Sequence, residues 1–201
     1  TSSVVLGQFI ERMMNNIDLF HWENIDFPEL TNSEKEICGV PLDLFEKYLE
    51  ELLYQAQPTA TRGVITMDGF GLLLRHFGPF NSKDNSLENG FPDTLLSFVG
   101  EDWFFGYIAL GKVDSYLADQ PVGTYLVRCS STKNDSEFFV SAVSKEHTTH
   151  SRIKKLESGF SCEMPSGEIT ATTMDQLFSH LDVTRICPRS PFSEIRKKIA
   201  A

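Results

Sequence analysis

The sequence predicts an α+β chain in two parts: a helical first half, and a second half in which a central antiparallel sheet is flanked by two helices. Three observations predict it. Apolar residues recur at helical spacing through the first hundred residues, β-branched and aromatic runs between polar turns begin after Trp103, and the charge balance changes at the same point. We place the division at residues 1–100 and 101–201, a length that suits two ordinary domains.

The amounts agree with this outline. Of 201 residues, 41% are hydrophobic and 16 are Phe, enough for a packed core and too apolar for a disordered tail or a disulfide-dense miniprotein. The net charge of −10 argues against broad binding to nucleic acid or anionic membrane. It is unevenly held. Through Asp102 there are 17 acidic and 6 basic residues, and from Trp103 onward 11 acidic and 12 basic, so an anion site belongs in the second half. No apolar run reaches the roughly 18 residues of a membrane helix, and no N-terminal signal pattern is visible, so a cytoplasmic, reduced protein is the expectation. Cys38, Cys129, Cys162 and Cys187 lack CxxC spacing and a nearby His, so no zinc site and no cofactor are expected.

The elements follow in chain order. Val5, Phe9, Ile10, Met13, Ile17 and Phe20 predict an amphipathic helix. Phe45, Tyr48, Leu49 and Leu52 predict a second, and Phe70, Leu73, Leu74 and Phe77 a third. Pro58, Thr61 and Gly63 interrupt the chain between these two. A short helix over residues 93–99 follows Pro92. In the second half a helix is predicted over residues 110–117, strands over 124–129, 138–143 and 150–156, and a helix over 174–181.

The first half contains an echo. GVPLDLFEKYLEELL (residues 39–53) and GVITMDGFGLLLRHF (residues 63–77) each run from Gly-Val through an extended piece into a Phe-containing helix. Both resemble the latter part of an EF-hand unit. The calcium chemistry is missing: residues 55–62 hold no carboxylate, and Asp26, Glu29, Glu34 and Glu36 lack the alternate spacing a binding loop needs. A structural EF-hand-like pair without metal is the reading.

In the second half, WFFGYIALGKVDSYL (103–117), GTYLVRCSSTKNDSEFFVSAV (123–143), HSRIKKLESG (150–159) and TTMDQLFSHL (172–181) resemble, in this order and spacing, an SH2 (Src-homology-2) domain. The residues support the chemistry that this implies. Arg128 interrupts an apolar strand, where a permanent cation is costly unless an anion meets it. The resemblance makes it the arginine that grips phosphotyrosine. Ser130, Ser131, Thr132 and Lys133 would form the turn that adds donors, and His150 and Arg152, on one face of the next strand by alternation, would complete the basic pocket. His150 is implied as an ordering residue rather than a primary contact. Two positions depart from the family: Leu110 stands where many members carry a second pocket arginine, and Ser151 where many carry an aromatic wall beside the pocket.

The first half is similar to two settings in which EF-like helices precede such a domain, the Cbl ubiquitin ligases and the STAT transcription factors; the run FGLLLRHFGPF leading toward WFFG leans toward STAT-like proteins. Reciprocal dimerisation through phosphotyrosine would need a tyrosine beyond the domain. Tyr48, Tyr54, Tyr107, Tyr116 and Tyr125 all lie before or within it, so the partner is either a tail outside these residues or another protein. Catalysis is not expected. A phosphatase loop needs an arginine where Asp135 follows Cys129, and no P-loop, G-x-S-x-G or H-E-x-x-H occurs. The expected function is phosphotyrosine-dependent protein recognition, with a tyrosine-phosphorylated protein as partner and no contact to nucleic acid or membrane. The alternatives are a phosphorylation-independent scaffold and a STAT-type dimerisation module.

Overall fold

In the computed structural model the described residues are 3–5, 36–57, 64–78, 90–130, 137–156, 158–164 and 167–199. The chain divides into two compact units, Thr1–Ser97 with Ile195–Ala201, and Phe98–Glu194.

In the first unit, β1 (Ser3–Val5) pairs antiparallel with β4 (Val64–Thr66), and β2 (Glu36–Ile37) pairs with β3 (Val40–Pro41). Helix α1 (Leu42–Ala56) starts behind Pro41 and buries Leu42, Phe45, Tyr48, Leu49, Leu52 and Leu53, the stripe that its periodicity predicts. Helix α2 (Met67–Phe77) is capped where the Thr66 hydroxyl accepts a hydrogen bond from the Gly69 amide at 3.0 Å, and it ends at Gly78. Its buried face includes Phe70, which meets Phe91 edge-on with ring centroids 5.8 Å apart. Phe91 opens α3 (Phe91–Val99), two residues earlier than expected. His76 is fully buried in α2 with Nδ1 3.2 Å from the Leu72 carbonyl oxygen, a polar core position that helical spacing alone does not reveal.

Two expectations change here. Val5 belongs to a strand and not to the first predicted helix, because its backbone pairs with Val64; residues 6–20 of that helix lie outside the described residues. Both halves of the sequence echo do run from strand to helix, β3 into α1 and β4 into α2. Their strands, however, pair with β2 and β1 and not with each other as in an EF-hand pair.

The second unit is built on a six-stranded sheet in the order β10-β5-β6-β7-β8-β9, with β5 (Thr124–Cys129), β6 (Phe138–Val143), β7 (Thr148–Leu156), β8 (Gly159–Met164), β9 (Gly167–Ala171) and β10 (Arg185–Ile186). All neighbours are antiparallel except β10 and β5, which are parallel. Helix α4 (Leu110–Leu117) packs on one face and α5 (Met174–Ser179) on the other, and α6 (Pro191–Ile199) closes the described chain. Strands β5 and β6 coincide with their predicted ranges, while β7 begins two residues early. Strands β8 to β10 were not foreseen: GFSCEM, GEITA and RI carry little of the β-branched and aromatic character that marks the central three.

Strand β5 is buried along its whole length. Beyond β10, residues 103–106 complete its outer edge: the Val127 amide donates to the Trp103 carbonyl, the Phe105 amide to Val127, and the Cys129 amide to Gly106, each at 2.8 Å. Alternation then sorts the side chains. Leu126 joins Phe105, Ile108, Val113, Leu117 and Cys187 in a core against α4. On the other face Tyr125 lies 5.0 Å from Phe178 of α5, and Phe98 stacks on Phe138 at 4.7 Å.

Candidate functional site

Arg128 is two residues beyond Leu126 and therefore on the α4 face of β5. The register lines up its neighbours. Phe139 is opposite Arg128 and Arg152 is opposite Phe139, while Ser141 is opposite Leu126 and His150 opposite Ser141. Arg128, His150 and Arg152 thus share one face across three adjacent strands. The sequence anticipated this for His150 and Arg152 from alternation, and it is the sheet register that adds Arg128.

Arg128 is only 9% exposed. Among the described residues its Nε has no hydrogen-bond partner and no carboxylate pairs with it; its guanidinium carbon instead sits 4.7 Å from the centre of the Phe139 ring. Burial lowers its pKa from the usual arginine range. A cation so placed is a strong receptor for an anion, because its desolvation cost is already met by the fold.

The other two cations have partners. His150 Nδ1 lies 2.9 Å from the Ser141 hydroxyl, which fixes the ring. Its pKa is lowered, first by burial and then by the nearby Arg128 charge and His147, with Asp114 acting in the opposite sense. Arg152 reaches Glu137, with Nε 3.3 Å from Oε2. Ser130 is buried, and its amide donates to the Glu137 carbonyl at 2.8 Å, closing the β5–β6 connection at its base. Ser131, Thr132 and Lys133 lie outside the described residues.

The departures from the family pattern are visible too. Leu110 opens α4 and is 49% exposed. Ser151 points to the opposite face from His150 and borders an open groove of about 1160 Å³, whose walls include Val140, Thr149, Met164, Leu181 and Val183. Met164, Leu181 and Val183 fall within residues 158–187, the range from which the sequence leads one to expect the walls of a pocket beside Ser151, though their meeting with β7 is seen only in the folded sheet.

Cys129 is no nucleophile. It is completely buried, burial raises its thiol pKa well above the ordinary value, and Tyr107 hydrogen-bonds to it. No disulfide and no His/Cys/Asp/Glu group suited to a metal occurs among the described residues, and none of the described helices is long and apolar enough to cross a membrane.

Comparison with known proteins points to the same part of the chain. The family model for the SH2 domain matches residues 103–181. Among curated proteins, the dual specificity protein kinase shkC of Dictyostelium discoideum is 26% identical over 101 residues, covering 50% of this chain and 20% of that protein. The dual specificity protein kinase shkA of the same organism is 26% identical over 154 residues, covering 76% of this chain and 28% of that protein. The chain therefore spans under a third of the length of these two relatives. The solution structure of the VAV1 SH2 domain complexed with a tyrosine-phosphorylated peptide from SLP76 is 24% identical, covering 44% of this chain and 69% of that one with a TM-score of 0.33. With a central antiparallel sheet between two helices and a family match running from Trp103 to Leu181, residues 103–181 are an SH2 domain.

Proposed function

We propose that this chain is a phosphotyrosine-dependent recognition module whose binding pocket centres on Arg128. An SH2 domain is a binding module without catalytic chemistry of its own, and recognition of a phosphorylated tyrosine is the activity that best fits this one. The single observation that carries the reading is the buried guanidinium on the face shared by His150 and Arg152, its Nε without a hydrogen-bond partner among the described residues. A phosphate dianion supplies both the charge and the acceptor oxygens that such a group lacks. Ser130 at the base of the β5–β6 connection, with Ser131, Thr132 and Lys133 after it, adds donors around the same anion. The groove beside Ser151 accommodates the residues that accompany the phosphotyrosine.

The partner is a tyrosine-phosphorylated protein, and phosphorylation is the switch. The EF-hand-like reading of the first unit rests on its two strand-to-helix segments; their strands do not pair with each other, and residues 55–62 hold no carboxylate for calcium. The STAT-like and Cbl-like readings of that unit rest on its sequence; the curated relatives bear kinase names.

The test is Arg128→Ala, followed by calorimetric titration with a phosphotyrosine peptide library pool. Loss of two charge-assisted hydrogen bonds lowers affinity by about a hundredfold or more. Because Arg128 is a buried cation that no carboxylate pairs among the described residues, the melting temperature is expected to stay level or rise. Unchanged affinity, or equal binding to unphosphorylated peptides, refutes the mechanism and favours the scaffold.

A further inference from the structure

Strand β6 turns Phe139 and Ser141 toward the basic face, Glu137 stands just before the strand, and each of the three meets one cation of a neighbouring strand. Glu137 holds Arg152, Ser141 holds His150, and Phe139 lies against Arg128. Two of these supports are hydrogen-bond acceptors or hydroxyls. The one facing the most buried cation is an aromatic ring.

We propose that Phe139 is the positioning residue for Arg128: its π face holds the guanidinium in place without consuming the N–H groups that an incoming phosphate requires. This rests on the functional reading above and goes further, since it assigns a role to a residue that no pocket pattern in the sequence singled out. A carboxylate at this position would hold Arg128 equally well, but it would accept the same hydrogen bonds and would have to be displaced by the ligand. An aromatic quadrupole attracts a cation and takes no such bond. The geometry fits this division. The guanidinium carbon is 4.7 Å from the ring centre, within the range of a cation–π contact, and Nε remains unpartnered among the described residues. Arg152 provides the contrast across the same strand: it does face a carboxylate, and must break its pair with Glu137 before giving the same donors to an anion. The pairing of β5 and β6 at this level keeps the backbone of Phe139 opposite that of Arg128, so the ring needs only one rotamer to reach the guanidinium.

The test compares Phe139→Leu, which keeps apolar bulk and removes the π face, with Phe139→Tyr, which keeps the face. N-acetyl-phosphotyrosine amide is titrated into the full chain, and the Arg128 Nε–H resonance is followed by NMR with the melting temperature recorded. Phe139→Leu is expected to bind roughly three- to thirtyfold more weakly, as the loss of one desolvated cation–π contact implies. Phe139→Tyr stays within about twofold of wild type. The Arg128 Nε–H resonance is displaced by the ring current in wild type and Phe139→Tyr, and it loses that displacement in Phe139→Leu. Equal binding by the Leu variant, equal loss in both variants, or an Nε–H resonance unmoved by removal of the ring overturns the proposal. If Phe139→Leu does not fold, Phe139→Met carries the same comparison. Should wild type itself bind no phosphotyrosine, the functional reading fails, while the resonance still decides whether the ring positions Arg128.

Discussion

At position 110 the first turn of α4 carries a leucine that is 49% exposed, so the side chain contributes little to the core. Leu110→Arg is therefore nearly neutral for stability, within about 0.5 kcal/mol for a surface change. The SH2 resemblance puts a pocket donor at this position, so the new guanidinium is expected to add a charge-assisted contact and tighten phosphotyrosine binding by about tenfold. Calorimetric titration checks this, and no gain would mean that other donors already occupy that side of the anion. His150 leads to a pH prediction. Its folded-state pKa is depressed, chiefly by burial and then by Arg128, whereas the unfolded chain protonates near 6.5. The unfolded state therefore binds more protons, and the contribution of His150 to stability is present above about pH 6.5 and declines as pH falls toward the folded pKa. Urea unfolding between about pH 7.5 and 5 should show this decline. His150→Gln should remove that component, and an identical slope in the variant would assign it to other groups.

At the scale of elements, the central strands were legible because their signal is dense. TYLVRC and FFVSAV combine β-branched and aromatic residues and bury most of both faces, so their ranges agree with the structure to the residue. The outer strands are different. In β9 the pattern GEITA is mostly exposed, and its ladder depends on β8 alone, so local sequence hardly distinguishes it from a loop. One glycine shows how tightly that ladder is closed. Gly159 begins β8 at φ 142°, and a Cβ there would stand 2.2 Å from the Ala171 carbonyl oxygen and 2.7 Å from the Thr172 Cα. Gly159→Ala is thus expected to lower stability by about 2 kcal/mol or more, since both the backbone conformation and the backbone neighbours oppose it. Chemical denaturation measures the loss, and a change under about 0.5 kcal/mol would show that β8 and β9 can separate without cost to the sheet.

For the whole molecule, the sequence by itself determined the α+β class, the location of the SH2 domain and the list of basic residues on its central strands. Those come from periodicity, from strand composition and from four collinear segments, all of which are local properties of the chain. The net charge of −10 also acquires a meaning at this scale. General acidity opposes polyanions at long range, where salt screens it, whereas a buried Arg128 would meet an anion only at contact distance. Other features were decided only by tertiary structure. Phe139 under Arg128 and Glu137 on Arg152 depend on which residues stand opposite one another across β5, β6 and β7, and the groove beside Ser151 depends on how β8 and the segment after α5 meet β7. Likewise Val5 pairs as a strand with Val64, a partner 59 residues away that no helical repeat can announce. The physical reason is common to all of them: alternation assigns a side chain to a face, but register assigns its neighbour, and register exists only once the strands have paired.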